Sequence, residues 1–190
     1  MADGRSKIKQ AMVICLQKSA VNVTLERQSG QVRITEATEE DGADIWSLVK
    51  DSGVLDVNSP YSYLMMGKFF SETCLVAKDG DQLVGFVTAF RPPTAKDVIF
   101  VWQIGVDLSQ RGKGVGKKML HELLQREAGK GVRFLESTIT PSNKPSQALF
   151  RGLARDLNTK CQVTEFFSED LFPGEEHEPE LKFRIGPVEL

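Results

Sequence analysis

The chain has 190 residues, 26% of them charged and 41% hydrophobic, with a net charge of −2, which suits one soluble domain with a core of its own. So little net charge argues against nucleic acid as the main partner, since that role demands a basic face. The longest apolar run near the start, "AMVICL", has six residues, too few for a signal-peptide core or a membrane span, so the cytoplasm is the expected compartment. Cys15, Cys74 and Cys161 are scattered and read as buried thiols of a reducing compartment. With only His121 and His177 beside them and no ligand spacing, no metal is expected.

Residues 1–30 hold no sustained period and read as a leader; residues 31–190 read as a single domain. Val32 and Ile34 alternate with polar neighbours as a strand. Thr38 followed by Asp41 resembles a helix-start box opening "EEDGADIWSLVKDSG", which Gly53 ends. After the loop "VLDVNSPYS", "YLMMGKFFSE" reads as a second helix. "TCLVAKDGDQLVGFVTAF" is two apolar runs about Asp79-Gly80, a hairpin signal. Arg91-Pro92-Pro93 interrupts, and "VIFVWQIGV" resumes as a strand apolar enough to be buried on both faces. Val115, Met119, Leu120, Leu123 and Leu124 recur at helical spacing until Gly129 and Gly131. "VRFLESTIT" is a strand, "NKPSQALFRGLARDL" a helix with Ala148, Leu149, Leu153 and Leu157 on one side, and "CQVTEFF" and "ELKFRIGP" are closing strands. The sum is an α/β domain: a mixed, mostly antiparallel sheet of about seven strands, with one central crossover, flanked by about four helices.

Between the buried strand and the third helix lies "SQRGKGVGKKML", three glycines and four basic residues. It is not a Walker A loop, because Arg111 stands where the first glycine belongs and Lys118 where a hydroxyl must meet Mg²⁺. Nor is it a dinucleotide fingerprint, because Lys117 replaces the third glycine. Glycines that turn backbone N–H groups inward, a helix start, and the charges of Arg111, Lys113, Lys117 and Lys118 nevertheless suit a pyrophosphate.

Val106, four residues, then Arg111-Gly112-Lys113-Gly114-Val115-Gly116 ahead of a helix resembles the pattern of the GCN5-related N-acetyltransferases. The resemblance covers about residues 32–186 and includes "SNKPSQALF", similar to the family's second cofactor segment. It implies that family's fold and acetyl-CoA as cosubstrate. The pyrophosphate would lie on the backbone of residues 111–117, and the pantetheine arm would pair with "QIGV" at Ile104, Gly105 and Val106. Asn143 and Ser146 would provide further contacts. Direct attack of a neutral amine on the thioester is the implied chemistry. Two common family features are missing: "IFVWQIG" holds no Glu base, and Phe150 stands where many members carry a Tyr acid.

The amine directs attention to carboxylates. "EFFSEDLFPGEEHEPE" holds seven of them and no Lys or Arg. "DSGVLDVNSPYSYL", "FVWQIGV", "RFLESTITPSN", "LFRGLARDL", "DLFPGEEHE" and "KFRIGP" together resemble the branch that acetylates L-2,4-diaminobutyrate for ectoine synthesis. That branch makes N4-acetyl-L-2,4-diaminobutyrate and CoA, and a homodimer is implied by the same resemblance. Asp56 and Glu136 are the candidates for ammonium recognition, joined by Glu176, with Trp102 offering a cation–π face. Tyr61, Ser137 and Thr138 are candidates for the carboxylate or a proton-relay water. Glu136, alone in an apolar strand, is favoured as base over His177. Two other readings stay open: another small-amine or protein N-acetyltransferase, and an acetyl-CoA-binding module without catalysis.

Overall fold

The computed structural model describes residues 31–173 and 177–189. The leader, Cys15, Glu175 and Glu176 lie outside the described residues. In chain order the elements are β1 (Arg33–Glu36), α1 (Gly42–Ser52), α2 (Pro60–Phe69), β2 (Leu75–Asp79), β3 (Gln82–Phe90), β4 (Val98–Val106), α3 (Val115–Gln125), β5 (Phe134–Ile139), α4 (Lys144–Asp156), β6 (Cys161–Phe167) and β7 (Glu180–Ile185). The sheet runs β1-β2-β3-β4-β5-β7-β6, and β4 with β5 is its parallel pair, the crossover being made by α3. The other neighbours are antiparallel.

Local signals explain most boundaries. Asp41 closes a box with Thr38, its carboxylate accepting from the Thr38 N–H at 2.8 Å and hydroxyl at 3.0 Å, and a 3₁₀ turn over Glu39–Asp41 leads into α1. Burial works to raise the Asp41 carboxyl, but the Lys78 ammonium 2.6 Å away and the Thr38 donors outweigh it, so the net direction is down. The second helix begins earlier than its apolar spacing indicated. Ser59 takes the cap and Pro60 the first turn, where a missing N–H costs nothing, so the residues read as loop open the helix instead. The hairpin turn is Gly80-Asp81, one residue on from the expected pair, with Gly80 at φ +61° and Asp79 facing Gln82.

Successive strand residues point to opposite faces, and each face acquires its own core. Leu75, Ala77, Val87, Ile99, Leu135 and Phe183 meet Met119, Leu120, Leu123, Phe150 and Leu153 of α3 and α4. Val76 and Phe86 meet Ile45, Val49, Tyr63 and Met66 of α1 and α2 on the other side. Full burial of one such Leu or Phe is worth about 1.5–3 kcal/mol. The α4 stripe holds at Leu149, Leu153 and Leu157, which pack on the first of these cores, but its border differs from the expectation: Phe150 and Ala154 are buried, while Ala148 is exposed. Cys74 is buried as expected, and burial pushes its thiol up to about 11; Cys161, on the edge strand, is only half-buried.

Candidate active site

The site is created where β4 and β5 part. Their parallel ladder runs from Val98↔Phe134 to Val101↔Ser137 and stops there, although β4 continues to Val106 and β5 to Ile139. On its other edge β4 stays paired with β3, but the register shifts so that Thr88 faces Gln103 and Ala89 faces Val101. Trp102 is the extra residue, a bulge that bends the strand. The expectation that β4 is buried on both faces therefore fails in its second half, where Trp102 is 37% exposed, because no strand lies beside it. Gly105 is required by a close approach: a Cβ there would lie 2.5 Å from the buried Phe86 ring and 3.2 Å from Leu55.

A cavity of about 760 Å³ extends from this gap. Ile104, Gly105 and Val106 line it, as do the glycine loop at Gly112, Gly114 and Gly116 and the start of α4 at Asn143 and Ser146. Gly112 and Gly114 hold φ near +77° and +78°, the left-handed region that a Cβ disfavours. Gly114 is also the cap of α3 and supplies no side chain, so the first-turn N–H groups are left for a ligand, while Arg111 and Lys117 stand on the cavity wall. Lys113 and Lys118 extend the positive field, and Val115 anchors the loop by burial. Lys117 is 2.8 Å from Asp156, so part of that charge is already paired. Asn143 accepts from Ser146 N at 3.1 Å and caps α4, which leaves its amide N–H₂ as the group available to the cavity. A long ligand with a polyanionic end and an amide-bearing arm, such as acetyl-CoA, fits these residues.

Beside the cavity stands an acidic group drawn from three segments. Asp56 is exposed on the α1–α2 loop, next to the cavity residue Leu55. Glu178 accepts from Ser142 N at 2.9 Å, and Ser142 also lines the cavity. Glu180, which opens β7, has its Oε2 buried without a hydrogen-bond partner. Burial raises its carboxyl above the usual range; the Thr138 hydroxyl and the His177 ring lower it, and the carboxylates of Asp56 and Glu178 raise it again. His177 stacks on Phe172 at 3.6 Å, and its Nδ1 lies 2.6 Å from the Glu178 carbonyl. A carbonyl only accepts, so Nδ1 carries a proton, and Nε2 has no hydrogen-bond partner among the described residues.

Of the residues singled out in the sequence, Asp56, Thr138 and His177 are thus brought together. Tyr61 is 65% exposed on the first turn of α2. Glu136 is not the solitary carboxylate that was expected: Arg184 stands opposite it in the β5–β7 ladder and ion-pairs with it, its guanidinium resting 3.7 Å over the Phe134 ring. Ser137 points to the opposite face, 5% exposed, and donates to the Val101 carbonyl at 2.9 Å. Glu176 lies outside the described residues. Phe150 is in the core, so the position where many members carry a Tyr acid does not face the cleft. Sequence reasoning missed Glu180. Its signal was a carboxylate at an inward-facing position of an alternating strand, legible only once β7 is in register with β5. Among the described residues no cluster of His, Cys, Asp and Glu could hold a metal ion, and no helix is long and apolar enough to cross a membrane.

Comparison with known proteins agrees with this geometry. The model of the acetyltransferase (GNAT) family matches residues 42–154. L-2,4-diaminobutyric acid acetyltransferase of Halalkalibacterium halodurans is 61% identical over 157 residues, 83% of this chain and 82% of that one. Its counterpart in Shouchella clausii is 55% identical over 172 residues, 90% and 94% of the two chains. Among solved structures, diaminobutyrate acetyltransferase EctA from Paenibacillus lautus, in complex with its substrate L-2,4-diaminobutyric acid and coenzyme A, superposes with a TM-score of 0.80 at 41% identity, over 83% of this chain and 95% of that one. The chain belongs to the GNAT family of acetyltransferases and, within it, to the L-2,4-diaminobutyric acid acetyltransferases.

Proposed function

We propose that this enzyme transfers the acetyl group of acetyl-CoA to the 4-amino group of L-2,4-diaminobutyrate, yielding N4-acetyl-L-2,4-diaminobutyrate for ectoine synthesis, by direct attack in a ternary complex. The observation that carries the reading is the grouping of Asp56, Glu178 and Glu180 around Thr138 and His177, beside a cavity that the glycine loop also lines. A short diamino acid, with two ammonium groups and one carboxylate, suits an acidic cleft and would be repelled by a basic one. Acetyl-CoA supplies an activated acyl carbon.

The chain's residues do the rest. The glycine loop and the α3 N-terminus hold the phosphates, and the open edge of β4 from residue 103 to 106 holds the arm. Asp56 anchors the α-ammonium, and Trp102, exposed at the bulge, offers a cation–π face, so that only the side-chain nitrogen reaches the acyl carbon. The 4-ammonium must lose a proton before attack. Glu180 is the best-placed acceptor, because its Oε2 has no other partner and its raised pKa brings it nearer the working pH. The Arg184 pair occupies Glu136, which favours Glu180 over it. His177, with Nε2 free, is placed to pass the proton on. Tyr61 and Thr138 are left to bind the substrate carboxylate or an ordered water.

The same reading puts the enzyme in the cytoplasm, where acetyl-CoA is made, as a homodimer. Phe166, Phe167 and Leu171, 42%, 41% and 67% exposed around the edge strand β6, support a covered face, and light scattering of the purified chain tests it. The primary test is CoA release with L-2,4-diaminobutyrate, ornithine, lysine and 2,3-diaminopropionate, followed by NMR of the product. Turnover confined to diaminobutyrate and its 4-nitrogen is expected. Turnover of the longer amines at equal kcat/KM, or acetylation at the 2-nitrogen, would overturn the substrate assignment.

A further inference from the structure

We infer that Gln103 and Tyr63 are positioning residues for substrate, acting through the main chain of Asp56. The inference rests on the reading of Asp56 as the ammonium anchor. Asp56 lies on a stretch without regular structure, between Gly53, at φ +62°, and the Ser59 cap of α2. Among the described residues its carboxylate has no ion-pair or hydrogen-bond partner, so its direction is set by the loop backbone alone.

That backbone is tied to β4 at two points. Leu55 packs over Gly105, 3.2 Å from the place of a Cβ. One residue on, the Asp56 carbonyl accepts from Gln103 Nε2 at 2.9 Å. An amide can be turned either way, and the wrong way would set its oxygen against the Asp56 oxygen. The Asp56 carbonyl only accepts, so Nε2 must face it, and the Tyr63 hydroxyl donates to the Oε1 on the other side at 2.9 Å and holds the amide in that setting. The Tyr63 ring is itself immobile: it is 0% exposed and meets Phe86 edge-on, with centroids 6.4 Å apart. Asn58 Nδ2, 3.5 Å from both the Tyr63 hydroxyl and the Asp56 carbonyl, adds a weaker tie.

The chain of command therefore runs from the core through Tyr63 and Gln103 to the loop that carries Asp56. Gln103 follows the Trp102 bulge, on the half of β4 that borders the cavity, so the same strand segment orders both the cofactor side and the substrate side. Glu at this position would keep the acceptor for Tyr63 but lose the donor for Asp56, and would add a carboxylate to an already acidic cleft.

The test is steady-state kinetics of the full chain carrying Gln103→Met, Tyr63→Phe, Asp56→Asn and each pair with Asp56→Asn. Gln103→Met and Tyr63→Phe are each expected to raise KM for L-2,4-diaminobutyrate about 5- to 20-fold, with kcat within about twofold and KM for acetyl-CoA unchanged. In the Asp56→Asn background either change should shift KM by less than about twofold, because the group it positions is gone. Full additivity in the double variants would assign Gln103 and Tyr63 a merely structural role and overturn the inference. So would an unchanged KM in Gln103→Met, which keeps the side-chain volume and avoids touching the core. Asp56→Asn with wild-type KM would instead overturn the anchor reading, and this inference with it.

Discussion

Glu180→Gln separates two consequences of one buried carboxyl. The substitution keeps shape and one acceptor oxygen but cannot take a proton, so kcat for diaminobutyrate should fall about 10²- to 10⁴-fold, the range of a general base, with KM for acetyl-CoA unchanged. In the wild type, kcat/KM should fall as pH drops through the raised pKa of Glu180, because the protonated carboxyl accepts nothing; that acid limb should vanish in the variant. Stability moves the other way. A carboxyl whose folded pKa lies above its unfolded value adds stability below the unfolded value, about 4.3 for Glu, and loses it as pH rises through the folded value. At pH 7 the ionised, partly buried Glu180 is therefore a burden that Gln removes. Each unit of elevation corresponds to about 1.4 kcal/mol, and the half-exposure of Glu180 screens it to less. Thermal unfolding should show Tm higher in the variant by about 1–4 °C at pH 7, with the gap closing near pH 4. A kcat within about threefold of wild type, with the acid limb intact, would remove Glu180 as acceptor and return that role to Glu136 or His177. A lower Tm at pH 7 would mean that its charge is compensated by a partner.

Gly112→Ala forces a side chain into the left-handed region at φ +77° at a cost of about 1–2 kcal/mol. Calorimetry should report CoA binding weakened about 5- to 30-fold, with KM for diaminobutyrate unchanged at saturating acetyl-CoA. Asp41 has its folded pKa held down, so it contributes stability above its unfolded value, about 3.9, and loses it as pH falls through the folded one. Asp41→Asn should therefore cost about 1–3 kcal/mol at pH 7 in denaturant titration, by stranding Lys78 and weakening the Thr38 box, and the deficit should shrink as pH falls through the folded value.

The strands were legible because period-two alternation is a local property, and the glycine loop because its backbone demands are written in consecutive residues. The start of α2 was legible in principle, since Ser59-Pro60 is a cap followed by a first-turn proline, but apolar spacing drew attention downstream. The α4 stripe was legible at Leu149, Leu153 and Leu157, but Ala148 and Phe150 lie at its two borders, and only tertiary contact decides which of them faces inward. The site residues divide by the range of the information they need. Asp56 and Thr138 could be proposed from chemistry alone. The pairing of Glu136 with Arg184 joins residues 48 positions apart, and it follows from a register that no local pattern reveals. Glu180 escaped for the same reason: "ELKFRIGP" places it at the start of a strand, but only the pairing of that strand with β5 shows which face it takes.

One irregularity accounts for much of the site. The bulge at Trp102 bends β4 where it parts from β5, and the ladder that ends at Val101↔Ser137 leaves a strand edge open on one side of the gap and a half-buried Thr138 on the other. A closed sheet would have offered neither. The carboxylates gathered at the gap then work against one another, because Asp56 and Glu178 help to raise the proton affinity of Glu180. On the proposed reading, the substrate's α-ammonium meets Asp56 and its side-chain ammonium meets Glu180, whose proton affinity is raised first by burial and further by the neighbouring carboxylates, so that Glu180 is placed to accept the proton that must leave before the nitrogen can attack.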